Sequence, residues 1–329
     1  MTTRSQTLRH LAAALALLVC CVPAGVVAQG TAGAGTPYKA PVTPWGEPDL
    51  RGTWPLNHLI STPLQRPERF GDRRFLTDEE FAAAQKSADA RNARFLSGAI
   101  PQADATGVTR LTSLLIDPPD GRFPALTPKG QELYAAMRGS YKPGQTVFDR
   151  PEDFDTWDRC ITRGLPVSML PRNYNNGIRV MPFPGYVVIL LEMAHEARII
   201  PTDGRPPLPG AIRQYLGGSR GRWEGSTLVV ETTNFNGLPA MTTLGVPGSP
   251  PLNPSTPNMR IVERFTRTAD DTIEFQMTVE DPVVLTRPWT VAFPWERDDD
   301  YQMFEFACHE GNTAIRNYIE TSRFERGRK

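Results

Sequence analysis

Residues 259–281, MRIVERFTRTADDTIEFQMTVED, decide the fold. Two runs rich in Ile, Val, Thr and Phe flank Asp270 and Asp271. That pattern predicts an antiparallel hairpin, because β-branched and aromatic side chains suit a pleated surface and Asp favours the turn. Similar runs fill the chain beyond Gly177: IRVMPF, GYVVILLEMA, EARIIP, STLVVETTNF, WTVAFPW and QMFEFACH, divided by Gly, Pro, Asp and Asn clusters. RWEGSTLVV predicts a second hairpin around Glu224 and Gly225. About eight strands with no long helices between them predict a mainly β fold, an antiparallel β-barrel whose closure removes exposed edges.

Working outward, the barrel is expected over 178–329 and ends in a helix, TAIRNYIETSRF, capped by Asn312 with Ile315, Tyr318 and Ile319 facing the body. Residues 77–177 form a helical and loop segment packed on the barrel. There Thr77 and Glu80 make a capping box ahead of FAAAQKSADARNARFL, and Thr127 with Pro128 starts a second helix running to a stop at Gly139. Residues 29–76 are a leader and extended arm, in which Trp45 and Trp54 flank the turn-forming GEPD and predict packing on the main body.

Residues 1–28 read as a signal peptide: Arg4 and Arg9 precede LAAALALLVCCVPAGVVA, no acid appears, and Val26 and Ala28 suit cleavage after Ala28. The protein is therefore expected in the periplasm or secreted, with no transmembrane segment in the mature chain. Val19 before Cys20 argues against lipidation. Cleavage leaves Cys160 and Cys308, and an oxidising compartment predicts their disulfide. Closing a loop of roughly 150 residues contributes on the order of 5 kcal/mol in the chain-entropy treatment.

The chain carries 36 Lys+Arg against 36 Asp+Glu, and losing Arg4 and Arg9 with the leader barely changes that balance. Such a surface gives no footprint for nucleic acid or anionic membrane, which need clustered positive charge. The expected partner is a small-molecule ligand or substrate.

The chemistry-bearing residues are His195 and His309, each heading a His-Glu pair with Glu196 and Glu310, together with Glu192. Imidazole moves protons near neutral pH, and both pairs follow apolar runs where strands would emerge at a barrel mouth. These five residues are the candidate catalytic set. Tyr174, Asn175, Arg198, Arg205 and Trp223 are the candidate ligand-binding set, since Arg grips carboxylates and Asn, Tyr and Trp suit hydroxyl- or ring-bearing ligands. The 198–224 segment reads either as an anion pocket or as ion pairs pinning loops. No HExxH or facial-triad spacing occurs, so no metal is expected, and no cofactor is called for. SxxK is also absent from the sequence.

CITRGLP, YNN, EMAHEARIIPTDGRP, SRGRWEGSTLVVETTNF and FACHEGN resemble a widespread, functionally uncharacterised group of exported bacterial proteins. The resemblance covers most of the mature chain and implies export and a common, lipocalin-like fold. Pro207 stands where comparable sequences often carry His after DGRP. The function expected from the residues is an exported enzyme using His/Glu acid–base chemistry, of lyase, hydratase or isomerase type, on a small, partly apolar or ring-bearing molecule. The alternative is a periplasmic lipocalin-like carrier without catalysis; a third reading has the arm with Trp45 and Trp54 dock on a partner.

Overall fold

The computed structural model describes residues 38–96, 107–238, 241–242 and 252–327. Residues 1–28, read above as a signal peptide, and the start of the leader lie outside them. Within the unit that begins at Tyr38, the elements in chain order are β1 (Gly52–Thr53), α1 (Asp78–Leu96), β2 (Leu115–Asp117), α2 (Pro128–Ala136), β3 (Ile178–Phe183), β4 (Tyr186–Leu191) and β5 (Ala197–Pro201). Then come β6 (Gly218–Glu224), β7 (Thr227–Thr233), β8 (Met241–Thr242), β9 (Leu252–Asn253), β10 (Arg260–Ala269), β11 (Thr272–Glu280), β12 (Trp289–Glu296) and α3 (Ala314–Gly327).

The fold is mainly β and every strand ladder is antiparallel. Four strands form one sheet in the order β1-β3-β4-β5, six form another in the order β2-β12-β11-β10-β7-β6, and β8-β9 is a small third ladder. Both predicted hairpins are present: Glu224 pairs with Thr227, and Ala269 with Thr272. Among the described residues the ladders do not join the two large sheets into one closed barrel. At the point where they meet, a Cβ on Gly221 of β6 would come 2.9 Å from Thr202 Cγ2 and 3.0 Å from Ile200 Cγ2, so the approach requires a residue without a side chain.

The period-2 alternation along β10, β11 and β12 sends Phe265, Phe275, Phe293 and Trp295 to one side, where their rings contact at centroid distances of 4.9 to 5.4 Å. Val180, Val187, Ile189 and Ile200 join the same buried cluster from the four-stranded sheet. One ion pair lies inside this apolar body. Arg198 of β5 donates to both oxygens of Glu263 on β10, at 2.8 and 2.5 Å, and its Nη2 also reaches Ser219 and Thr232. Both partners are at most 2 % exposed at the side chain.

The arm is part of the core. Leu50, Trp54, Leu56, Leu59 and Leu64 are buried. Its backbone bonds one sheet through Trp54 N to Ile178 O and the other region through Leu115 N to Leu64 O. Trp45 instead closes a local turn by donating to Glu47. The Thr77–Glu80 capping box forms as expected, with reciprocal bonds of 3.2 and 2.8 Å, and Arg73 holds the Glu80 carboxyl down to about 2. Thr127 caps α2 by accepting from Gly130 N, but the helix stops at Ala136, short of Gly139.

Three expectations are corrected. QMFEFACH is not a strand, because Phe304 N donates to a carboxylate and Phe306 O accepts from an imidazole, which removes those groups from any ladder. The run GYVVILLEMA stops as a strand at Leu191, where a turn begins. Asn312 does not cap α3; its amide donates to Asp158 O at 2.9 Å and lies 3.1 Å from Cys160 Sγ. No helix among the described residues is long and apolar enough to cross a membrane.

Candidate functional site

The turn that follows β4 carries Glu192, His195 and Glu196, and its backbone is unusual. Ala194 (φ 59°) and His195 (φ 41°) are both left-handed, a conformation that costs a side-chain-bearing residue about 1–3 kcal/mol and concentrates at functional sites. Cys160 (φ 56°) and Asn175 (φ 51°) share it. All four lie in segments that meet here: Asn175 bonds Glu192, His195 bonds Phe306, and Cys160 reaches Cys308.

Cys160 and Cys308 stand at disulfide distance with Cα atoms 5.5 Å apart. The bridge fixes the 301–310 segment, and Glu192 fastens the other end of it. Glu192 Oε1 accepts from Asn175 Nδ2 and Phe304 N, both at 3.0 Å, while Oε2 accepts from Gly177 N at 2.9 Å and Tyr301 OH at 2.8 Å. Four donors around one buried carboxylate make it a clamp, with no lone pair left to take a substrate proton.

His195 turns the other way and is exposed. Its Nδ1 is 3.1 Å from Phe306 O. A carbonyl only accepts, so in the neutral ring Nδ1 carries the proton and Nε2 keeps its lone pair. The ring lies 6.1 Å from that of His309, edge to face at 76°. Phe306 stacks with Trp157 at 5.0 Å and with Tyr174 at 6.5 Å, and the Arg163 guanidinium sits 3.9 Å from the Trp157 ring. The two imidazoles therefore stand beside an aromatic shelf. Glu310 is exposed on the tight turn after Cys308.

Glu196, half-buried, accepts from Ser168 Oγ at 2.9 Å. Burial raises its pKa above that of an ordinary Glu, against the opposing pull of Thr162, Ser168, Arg172 and Arg198. It lines an open groove of about 480 Å³ together with Thr162, Arg213, Gln214, Tyr215 and Asn236, and Ile161, Ala197 and Leu216 supply the apolar wall. The volume suits a small metabolite. The far wall is pinned in place: Gln214 N donates to Asn234 O and Asn236 N to Gln214 O, while Asn234 Nδ2 donates to the carbonyls of Leu208, Pro209 and Ile212 at 3.0 to 3.1 Å.

The structure thus brings together His195, His309, Tyr174, Asn175 and Glu192 around the disulfide, with Glu196 on the same turn. Three expected ligand contacts lie elsewhere. Arg198 is committed to Glu263 in the core, and Arg205 pairs with Asp203 and the Tyr186 hydroxyl on the surface. Trp223 sits opposite Leu228 on β6, half-buried against the core. Trp54, fully buried, is not free to dock on a partner. Sequence reasoning passed over Thr162, Ser168, Gln214, Tyr215 and Asn236; the parallel bridge between Gln214 and Phe235 sets Gln214 and Tyr215 beside Asn236, and Ser168 reaches the site by donating to Glu196. Among the described residues no group of three or more His, Cys, Asp and Glu side chains is placed to hold a metal.

No protein-family model matches the chain, and neither does any curated protein or solved structure.

Proposed function

We propose that this protein is an exported enzyme that acts on a small, partly apolar or ring-bearing molecule by acid–base chemistry of the lyase, hydratase or isomerase type. The observation that carries this reading is the convergence of His195 and His309, with rings 6.1 Å apart, on a strained turn that also delivers Glu196 to a groove. With Nδ1 donating to Phe306 O, His195 directs Nε2 outward, and burial raises the Glu196 pKa, which supports a base and an acid on one turn. In an elimination the imidazole takes a proton from carbon, the C–H electron pair forms the double bond, and the hydroxyl leaves as water with the Glu196 proton. Hydration is the reverse.

The apolar leader with Arg4 and Arg9 and the cysteine pair at disulfide distance support export to an oxidising compartment. The close approach of β5 to β6 supports taking the two sheets as the wall of one barrel-like body, opened along that seam. A carrier holding its ligand in the lumen would need those sheets to part, since Phe265, Phe275, Phe293 and Trp295 fill the space between them.

The test is a mass-spectrometric screen of metabolite extracts with the oxidised mature protein, set beside His195→Ala/His309→Ala and Glu196→Gln. Conversion of a compound by the wild type, reduced at least tenfold in both variants, is expected. A compound held and released unchanged by all three proteins would overturn the catalytic reading.

A further inference from the structure

We infer that the groove beside Glu196 is a carboxylate-binding site, and that the substrate is a small organic acid whose anionic end pairs with Arg213 while its apolar body lies along Ile161, Ala197 and Leu216. The inference deepens the reading above and rests on it for taking the groove as the place of the substrate.

Three observations carry it. First, Arg213 lines the groove with a charge that nothing nearby answers. Its Nε donates to the Gly210 carbonyl at 3.2 Å, and among the described residues no carboxylate lies within ion-pair distance of it. Arg198, Arg205, Arg222, Arg260 and Arg264 each have a carboxylate partner, whereas Arg220, which like Arg213 lacks one, has its guanidinium taken by the carbonyls of Pro206 and Ser219. A guanidinium left open in a recess is a ready fork for a carboxylate.

Second, Glu196 is the only acid among the residues lining the groove, and burial raises its pKa, which lessens the repulsion it presents to an incoming anion. Third, the cation does not ride on a floppy loop. Its neighbour Gln214 is tied into a parallel bridge with Phe235, and Asn234 gathers three carbonyls of the preceding loop. A held loop reduces the ordering cost of binding.

Benzoate and its neutral isostere benzamide separate charge from shape. In calorimetric titrations of the oxidised, full mature chain, benzoate is expected to bind at least about tenfold more tightly than benzamide, the usual advantage of a charge-assisted pair over a neutral one. Arg213→Gln should bring the two to equal affinity, Arg213→Lys should keep part of the preference, and Arg205→Gln, a surface control, should keep all of it. Equal binding of the two probes to the wild type, no binding of either at millimolar concentration, or a preference that survives Arg213→Gln would each overturn the inference. His195→Ala/His309→Ala should retain the preference. If it does while the metabolite screen shows no turnover, the groove stands as an acid-binding site and the catalytic reading falls. If turnover is found without any preference for the anion, the reverse holds.

Discussion

Replacing Glu192 by Gln removes one charge and exchanges one oxygen for an amide nitrogen, in a position where all four neighbours donate. Two placements of the new NH2 group are available. At the Oε1 position it confronts Asn175 Nδ2 and Phe304 N; the Asn175 amide can flip to present oxygen, but the backbone N–H of Phe304 cannot. At the Oε2 position it confronts Gly177 N and Tyr301 OH; the hydroxyl can rotate to accept, and the Gly177 N–H is stranded instead. Either way one buried backbone donor loses its partner, at about 1–3 kcal/mol, and the remaining bonds lose the assistance of the charge. A total near 3 kcal/mol follows, or roughly 5–10 °C in Tm for a chain of this size. Chemical denaturation measures the energy, and hydrogen exchange on the peptide spanning 301–310 locates it, since that segment should lose protection first. A variant within 0.5 kcal/mol of wild type, with protection at Phe304 and Gly177 unchanged, would refute the clamp.

Arg198→Ala should cost about 3–5 kcal/mol in urea unfolding, because it leaves Glu263 charged and unpaired in the core, whereas replacing both partners with Met should recover most of the loss. Cys160→Ser/Cys308→Ser should lower stability by up to about 5 kcal/mol relative to the oxidised protein, and adding reductant to the wild type should reproduce the loss. Burial pushes the Asp155 carboxyl up to about 6, opposed by the Trp157 N–H it accepts and reinforced by Asp158. Its folded pKa lies above the unfolded one, so its contribution to stability is fully present below the ordinary value of 3.8 and is lost as pH rises through about 6. Asp155→Asn should therefore flatten stability between those pH values and raise it at neutral pH by about 1–3 kcal/mol, read from urea midpoints across a pH series.

Local signals were legible where chemistry within a few residues settles structure. The Thr77–Glu80 box, the turns at Glu224–Gly225 and Asp270–Asp271, and the pairing of Cys160 with Cys308 all follow from short-range pattern or compartment. QMFEFACH misleads because its composition matches a strand while its backbone groups are taken by Glu192 and His195, more than a hundred residues earlier. The same long reach separates the two glutamates of EMAHE. Both look like proton carriers in sequence, yet the left-handed pair Ala194–His195 sends Glu192 into a nest of donors and leaves Glu196 at a groove. Arg198 and Arg213 are equally anonymous as letters. The packing of β5 on the six-stranded sheet commits one to Glu263, while the other bonds only the Gly210 carbonyl.

The histidine pair depends on a late event in the life of the chain. Cys308 follows every strand in chain order, and its partner lies 148 residues upstream, so both sheets can be synthesised and packed before His309 has anything to face. A molecule that is folded but still reduced would hold the segment carrying His309 only through the Glu192 clamp and the Asn312–Asp158 bond. Oxidation then acts as a late fastening that ties the end of the chain to its middle.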